Sequence, residues 1–209
     1  MDAISNAATS SSQKSRCFGR WPSAARRSDL LQQATRILDA ARLVELGGRA
    51  GLVMHITGLE KKTANRLYRQ LRGAPSPPGQ SPFTDTWFLG SDIRMLHATI
   101  VWRLHKRLTD TERGAAWMLI TVYAVYRCFV RQPVLDLTHA ALVPSLIDMN
   151  IWEERLCAHC GGLYLSPVVS NDDQCPGCRL YHRYRCRRCG GPINARRRGR
   201  PRLTCGQCE

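Results

Sequence analysis

Eight of the ten cysteines lie near the C-terminus in four C-x-x-C pairs, a pattern that can bind metal. A C-x-x-C turn directs two sulfur atoms at one point, and two such turns supply the four thiolates of a tetrahedral zinc site. A disulfide-rich module is the alternative, but no apolar secretory signal opens the chain and most of it has a helical pattern. The spacing therefore predicts bound Zn²⁺. The pairs are Cys157/Cys160, Cys175/Cys178, Cys186/Cys189 and Cys205/Cys208.

The pairs belong to an internal repeat, which indicates how they share metal ions. The run C-A-H-C-G-G that begins at Cys157 recurs 29 residues later as C-R-R-C-G-G, and the second pair recurs 30 residues later as the fourth. A duplicated unit of this kind predicts two consecutive zinc ribbons, 157–178 and 186–208. Spacing alone leaves open a cross-braced arrangement, which joins the first pair to the third, and the use of His159 or His182 as ligands.

Four-thiolate zinc sites stabilise folds and do not activate water, because they have no open coordination position. The zinc deaminase pattern is missing as well, since Gln174 rather than proline precedes Cys175. The sequence contains no G-x-S-x-G, P-loop, H-E-x-x-H or dinucleotide-binding fingerprint. The chain is therefore predicted not to be an enzyme.

The chain is strongly basic, with 31 lysines and arginines against 16 acidic residues and a formal net charge of +15. From Arg179 to the end there are ten arginines, no lysine and one acid. This balance predicts a polyanionic partner, and guanidinium groups favour bidentate contacts with phosphate or guanine. The alternative is a solvated, partly disordered tail. The predicted DNA contacts in this region are Arg179, Arg183, Arg185, Arg187, Arg188, Arg196, Arg197 and Arg198.

A second basic group lies on a segment with the pattern of a helix-turn-helix, 49–73. A glycine turn separates two helical stretches, about 49–56 and 60–71. Polar side chains of the second stretch lie opposite its apolar face, as a recognition helix requires for phosphate and base contacts. An ordinary solvated helix face is the alternative. These side chains are Lys61, Lys62, Asn65, Arg66 and Arg69.

Other polyanionic partners also fit the charge. An anionic membrane is one, but no segment predicts a membrane span, because the longest apolar stretch, 115–126, has only twelve residues against the roughly 20 that a span needs. A zinc-ribbon protein that binds RNA is the second hypothesis, with Trp87, Phe88, Tyr181 and Tyr184 as residues that stack on bases. Core packing is the favoured interpretation of Trp87 and Phe88.

The elements that position these groups are predicted to be mostly α-helical. Leu31, Leu38 and Val44 mark the apolar face of a first helix, with Ser28 or Asp29 as its N-cap. The other predicted elements are helices at about 91–108, 112–130 and 137–149 and an extended proline-rich loop at 74–82. The composition changes after residue 155 to Cys, Gly, Arg and Pro, which indicates a domain boundary.

Three domains are predicted from this organisation. Residues 1–29 are rich in Ser and Ala with scattered basic residues, which indicates a disordered basic tail, although an organellar transit peptide has a similar composition. A helical domain follows at 30–155, and a zinc-binding module of two tandem ribbons occupies 156–209.

Several blocks of the sequence resemble the family of the flagellar transcriptional activator FlhC. They are R-L-Y-R-Q-L-R-G and S-P-F-T-D-T-W-F within 66–88, R-x-x-H-A at 94–98, and then C-A-H-C-G-G followed by C-P-G-C. The resemblance covers about 30–178. The tail, 1–29, and the second ribbon, 186–208, have no counterpart in it.

The resemblance implies a cytoplasmic bacterial DNA-binding subunit that acts in a hetero-oligomer with an FlhD-type subunit. The complex would bind double-stranded promoter DNA and, with RNA polymerase, activate flagellar genes. The resemblance also assigns the zinc ligands as Cys157, Cys160, Cys175 and Cys178. A bacterial regulator has no organellar transit peptide, so that interpretation of 1–29 is dropped.

Overall fold

The computed structural model describes residues 24–78, 82–108, 114–193 and 203–208, with side chains from residue 29 onward. Helices dominate this part of the chain, as predicted, and a two-stranded sheet and a short helix follow them. The elements are α1 (Ala24–Glu45), α2 (Ala50–Thr57), α3 (Lys61–Arg72), α4 (Thr86–Leu89), α5 (Asp92–Leu108), α6 (Ala115–Phe129), α7 (Leu137–Asp148), β1 (Trp152–Leu156), β2 (Leu163–Pro167) and α8 (Pro176–His182). The chain divides into two units, Met1–Ala34 and Thr35–Glu209, and the second contains α2 to α8 and both strands.

Helix α1 begins earlier than predicted. Its first residue is Ala24, so Ser28 and Asp29 lie inside the helix and neither is its N-cap. Two alanines and two arginines open α1, and both residue types favour helix, which explains the earlier start. The predicted tail, 1–29, therefore overlaps α1 at its end, and 1–23 lie outside the described residues.

The buried face of α1 also differs from the prediction. Leu31 and Leu38 are 70% and 64% exposed, whereas Leu43 and Val44 are fully buried. Apolar spacing identifies a helix face that needs a cover, but the spacing does not say whether the same chain or a partner supplies that cover.

Helices α2 and α3 form the predicted helix-turn-helix, with bounds that differ from the prediction by one residue. Gly58 ends α2 with φ 68° and donates its N–H to the carbonyl of Met54 at 2.9 Å. Gly73 ends α3 in the same way, with φ 69° and a 2.8 Å bond to Arg69. Glycine occupies both positions because residues that have a Cβ atom rarely adopt this left-handed backbone conformation.

Arg72 joins the C-terminal ends of α1 and α3. Its Nη2 donates to the carbonyl oxygens of Val44 at 2.7 Å and Glu45 at 3.2 Å. Carbonyl groups in the last turn of a helix have no partner within that helix. The guanidinium therefore satisfies two of them, and its positive charge complements the negative end of α1.

A buried hydroxyl organises the centre of the helical body. Tyr126 on α6 is fully buried, and its hydroxyl accepts hydrogen bonds from the backbone N–H groups of Val134 at 3.0 Å and Leu135 at 3.1 Å. The same hydroxyl lies 2.6 Å from Nδ1 of His97 on α5. Because the buried groups satisfy one another, this network fixes the loop between α6 and α7 against α5.

The proline-rich loop leads into α4, which the sequence did not predict. The described parts of the loop, 74–78 and 82, contain no helix or strand, and 79–81 lie outside the described residues. In α4, Phe88 is fully buried, and Trp87 stacks on His139 of α7 with ring centroids 3.8 Å apart. Both aromatic side chains therefore pack in the body, as the favoured interpretation predicted.

Strands β1 and β2 pair antiparallel and attach the cysteine-rich region to α5. Trp152 is 1% exposed, and its Nε1 donates to Oδ2 of Asp85 at 3.0 Å. The N–H of the buried Leu165 donates to Oγ1 of Thr99 on α5 at 3.2 Å. The first cysteine pair, Cys157 and Cys160, therefore lies in a hairpin that is itself fixed to the helical core.

Candidate metal centres and nucleic-acid surface

The first cysteine cluster lies between the β-hairpin and α8. Cys157 follows β1 and Cys160 precedes β2, while Cys175 caps α8 and Cys178 lies in its first turn. Gly161, with φ 67°, donates its N–H to the carbonyl of Cys157 at 2.9 Å, which folds the chain back after the first pair. All four sulfur atoms lie within 4.8 Å of one another.

Backbone groups favour negative charge in this cluster. The N–H of Cys175 lies 3.2 Å from Sγ of Cys157, and the N–H of Cys178 lies 3.3 Å from Sγ of Cys175. Burial opposes ionisation of Cys157, but backbone N–H groups, chiefly of Cys175 and Cys160, outweigh it and lower its pKa to about 6. Burial and the neighbouring thiols raise the pKa of Cys178. The cluster thus favours a first thiolate and needs a cation for the others.

The second cluster repeats the geometry of the first. Cys186, Cys189, Cys205 and Cys208 also place their sulfur atoms within 4.8 Å of one another. Gly190, with φ 72°, bonds to the carbonyl of Cys186 at 2.9 Å, as the corresponding glycine does in the first cluster. Backbone N–H groups, first that of Cys189, lower the pKa of Cys186 to about 6, and the thiols of Cys189 and Cys205 raise that of Cys208 to about 12.

The two clusters settle the alternatives that spacing left open. The first pair groups with the second and the third with the fourth, so the arrangement is tandem and not cross-braced. The described cysteines are all free thiols. The rings of His159 and His182 contact each other at a tilt of 34°, with centroids 4.7 Å apart, and neither residue belongs to a four-residue group.

Both clusters fit Zn²⁺. Four sulfur donors around one point match the closed tetrahedral coordination of structural zinc and would give a formal charge of −2 per filled site. No fifth ligand or open position is offered by the two groups, each of which consists of cysteine alone. The arrangement therefore suits a metal that holds the chain together.

The elements around the clusters differ. The hairpin of five paired residues per strand flanks the first pair, whereas a single isolated bridge, Arg185↔Pro192, flanks the third pair. No helix or strand is assigned in the described residues after His182. Within the described residues, less secondary structure therefore flanks the second cluster than the first.

The predicted recognition helix presents its basic residues on one face of α3. Lys61, Lys62, Arg66 and Arg69 are exposed, Asn65 is half-buried, and Ala64 on the opposite side is fully buried. In the described part of the chain, none of the four basic side chains forms an ion pair with an acid. The structure thus brings these five residues together as the sequence predicted and leaves their charges open to solvent.

The C-terminal arginines have more varied surroundings. Arg183 is exposed, and the guanidinium of Arg185 lies 5.0 Å from the ring centroid of Tyr181. Arg187 donates to Oε1 of Gln174 at 3.3 Å, and Arg188 donates to the carbonyl of Cys208 at 3.4 Å. Arg196, Arg197 and Arg198 lie outside the described residues.

Arg179 is already paired within the chain, which the sequence reasoning missed. Its Nε donates to Oδ1 of Asp92 at 2.7 Å, and its Nη1 lies 3.1 Å from Oδ2 of Asp172. A count of charges along 179–209 could not reveal these partners, because both acids come earlier in the sequence.

A sequence model described as "Flagellar transcriptional activator (FlhC)" matches residues 25–201 of this chain. The chain belongs to the FlhC family. The FlhC match is longer than the 30–178 that the sequence blocks indicated. It ends between the two halves of the second cluster, so Cys186 and Cys189 lie inside the matched span and Cys205 and Cys208 outside it.

Individual FlhC proteins agree with this assignment. The flagellar transcriptional regulator FlhC of Enterobacter cloacae subsp. cloacae is 31% identical over 157 residues, which cover 71% of this chain and 82% of the relative. The regulator of the same name from Paraburkholderia phymatum is 28% identical over 144 residues, 66% of this chain and 65% of the relative. That of Xenorhabdus nematophila is 27% identical over 146 residues, 66% of this chain and 74% of the relative.

The FlhC family is one of transcriptional activators of flagellar genes. Helix α3 and the clustered cysteines suit such a protein, since α3 offers basic side chains and the cysteines suit structural zinc. Among the described helices, none combines the length and apolar composition that a membrane crossing requires.

Proposed function

We propose that this chain is the DNA-binding subunit of a non-enzymatic activator of flagellar promoters. The observation that supports this most directly is the open basic face of α3 on a helix-turn-helix, in a chain of the FlhC family. Arg66 and Arg69 reach base edges or phosphates, and Lys61 and Lys62 bind phosphates. Such a subunit acts in the cytoplasm, where the bacterial chromosome lies.

Zinc, in this proposal, folds the C-terminal module that carries further DNA contacts. The ligands of the first ion are Cys157, Cys160, Cys175 and Cys178, and those of the second are Cys186, Cys189, Cys205 and Cys208. Arg183, Arg185, Arg187 and Arg188 border the second cluster and contribute electrostatic contacts to the DNA backbone.

An FlhD-type subunit is the proposed partner in a hetero-oligomer, and RNA polymerase is the proposed target of the bound complex. Exposed apolar side chains on α1, among them Leu38 at 64% and Ile37 at 37%, supply a helix face that a second subunit would cover. This face supports an obligate partner because a long helix with uncovered leucines is otherwise an aggregation hazard.

The recognition face is tested by measuring the affinity of the complete complex for duplex promoter DNA. Changing Arg66 and Arg69 to Ala should weaken binding by about 10- to 100-fold and lower the slope of log affinity against log salt by roughly one per lost phosphate contact. Arg103→Ala combined with Arg107→Ala is the matched control, since it removes the same two charges from exposed positions on α5. Equal affinities for the double variant and the control would contradict the proposed role of α3.

A second function, RNA binding, is favoured by two exposed aromatic side chains next to the second cluster. Tyr181 and Tyr184 are 57% and 58% exposed in a basic segment, as base-stacking residues are. Competition between duplex promoter DNA and single-stranded RNA of equal length decides between the two functions. Preferential displacement of the bound DNA by RNA would contradict the DNA-binding proposal and support RNA binding in its place.

A further inference from the structure

Arg179 has the surroundings of a structural residue rather than of a nucleic-acid contact. It lies on α8 directly after the metal-ligand candidate Cys178, and its side chain is only 29% exposed. Its Nε is 2.7 Å from Oδ1 of Asp92, and its Nη1 is 3.1 Å from Oδ2 of Asp172 and 3.0 Å from the carbonyl oxygen of Gln174. These contacts use Nε and Nη1 of the guanidinium.

The contacts of Arg179 connect three parts of the second unit. Asp92 opens α5 of the helical body, and Asp172 and Gln174 belong to the loop that leads into α8. The side chain of Gln174 accepts a hydrogen bond from Nη2 of Arg187 in the second ribbon at 3.3 Å. A continuous polar chain therefore runs from α5 through α8 to the second cluster.

The local charges also argue against a phosphate at this position. A phosphate that approached Arg179 would have to displace or lie beside two carboxylates, and both would repel it. Partly buried, hydrogen-bonded ion pairs are screened less by salt than exposed ones. We therefore expect the ion pair of Arg179 and Asp92 to persist at the salt concentrations at which DNA binding is measured.

We propose that Arg179 is a positioning residue. Through Asp92, it fixes the zinc module in one orientation on α5, so that α3 and the arginines of the second ribbon meet one DNA molecule together. This inference rests on the proposed DNA binding. Its energetic logic is preorganisation: a module held in its bound orientation loses less conformational freedom when DNA binds.

Neutralising Asp92 distinguishes a positioning role of Arg179 from a direct DNA contact, because the two roles predict opposite changes in DNA affinity. If Arg179 positions the module, Asp92→Asn weakens binding of duplex promoter DNA by the complete complex about tenfold. If Arg179 contacts phosphate, removing the competing acid strengthens binding. Asp173→Asn is the matched control. Asp173 is exposed and adjacent to Asp172, and its substitution removes the same negative charge. A rise in affinity with Asp92→Asn that equals or exceeds the control overturns the proposal.

Rescue and salt dependence sharpen the test. Arg179→Ala should weaken binding at least as much as Asp92→Asn, and the two changes combined should weaken it no further than Arg179→Ala alone, because Arg179→Ala already removes the contact with Asp92. The exchanged pair, Asp92→Arg with Arg179→Asp, should restore part of the affinity. The slope of log affinity against log salt should stay unchanged in Arg179→Ala. A fall of about one in that slope would instead identify a phosphate contact and overturn the proposal.

Amide hydrogen exchange measures the contact without DNA. In Asp92→Asn, amides of α8 should exchange faster while those of α3 keep their rates, and native mass spectrometry should find the same zinc content as in the parent. Unchanged exchange in α8 overturns the proposed contact. If the parent complex binds no promoter DNA, the proposed function fails, and the exchange result still decides whether Arg179 fixes the module. Faster exchange with unaltered DNA affinity overturns the role in DNA binding.

Discussion

The two cysteine clusters have the same sulfur geometry in different surroundings. In both, the four sulfur atoms lie within 4.8 Å and a glycine with positive φ follows the first pair. The first cluster, however, follows a hairpin with the buried Trp152 and Leu165, whereas one isolated bridge flanks the second. The knuckle sequence sets where the sulfur atoms point, and packing of the neighbouring elements sets how much order remains without metal.

Removing one cysteine ligand from each cluster tests the difference between their surroundings with the largest expected effect. Structural zinc contributes on the order of 10 kcal/mol of folding free energy to a small module. Cys157→Ser should leave one zinc and lower the thermal midpoint of the helical body, because its hairpin packs on α5. Cys186→Ser should also leave one zinc but speed amide exchange only near the second cluster, at 183–193 and 203–208, with little change in the midpoint.

Native mass spectrometry, calorimetry and hydrogen exchange on the two variants provide these measurements. Two zinc ions in the parent are expected. Equal losses of thermal stability in Cys157→Ser and Cys186→Ser would show that the second cluster is as firmly attached as the first.

A substitution in the packing around the first cluster has the next largest expected effect. Leu165→Ala should lower the free energy of unfolding by about 2–5 kcal/mol, because it leaves a cavity between β2 and α5. Ile193→Ala, which shortens a half-buried side chain beside the second cluster, should cost less than about 1 kcal/mol. Urea denaturation of the zinc-loaded protein measures both. A cost for Ile193→Ala that matches Leu165→Ala would refute the difference in packing.

The smallest expected effect concerns the positive-φ glycine that follows the first cysteine pair of each cluster. Gly161 and Gly190 have φ of 67° and 72°, and no heavy atom lies within 4 Å of a Cβ added at either position. Alanine at each should therefore cost only backbone strain, about 1–2 kcal/mol, and the same amount in both clusters. Zinc affinity measured by chelator competition compares them. Unequal losses would mean that the two knuckles are not equivalent.

The sequence predicted the features that depend on local chemistry. The four C-x-x-C pairs and the repeat gave the tandem grouping, and glycines at 58 and 73 gave the ends of α2 and α3 to within one residue. Each of these rests on residues close in the chain, where spacing and backbone preference decide the geometry.

Features that depend on distant residues were not predictable in this way. The ion pair of Arg179 is one of them: its basic neighbours led to a prediction of DNA contact, and its ion-pair partner, Asp92, lies 87 residues away in sequence. Helix α4 has only four residues, too few for periodicity. The spacing of Leu31 and Leu38 correctly predicted helix α1, but both side chains are exposed rather than buried. Amphipathic spacing identifies an apolar helix face and does not identify what packs on that face.

The hydrogen bonds from Arg72 to the end of α1 couple the positions of two helices. Because Arg72 is the last residue of α3 and bonds the carbonyls of Val44 and Glu45, the C-terminal ends of α3 and α1 are held together. If a partner subunit docks on α1, as proposed, this contact would transmit a shift of α1 to the basic face of α3.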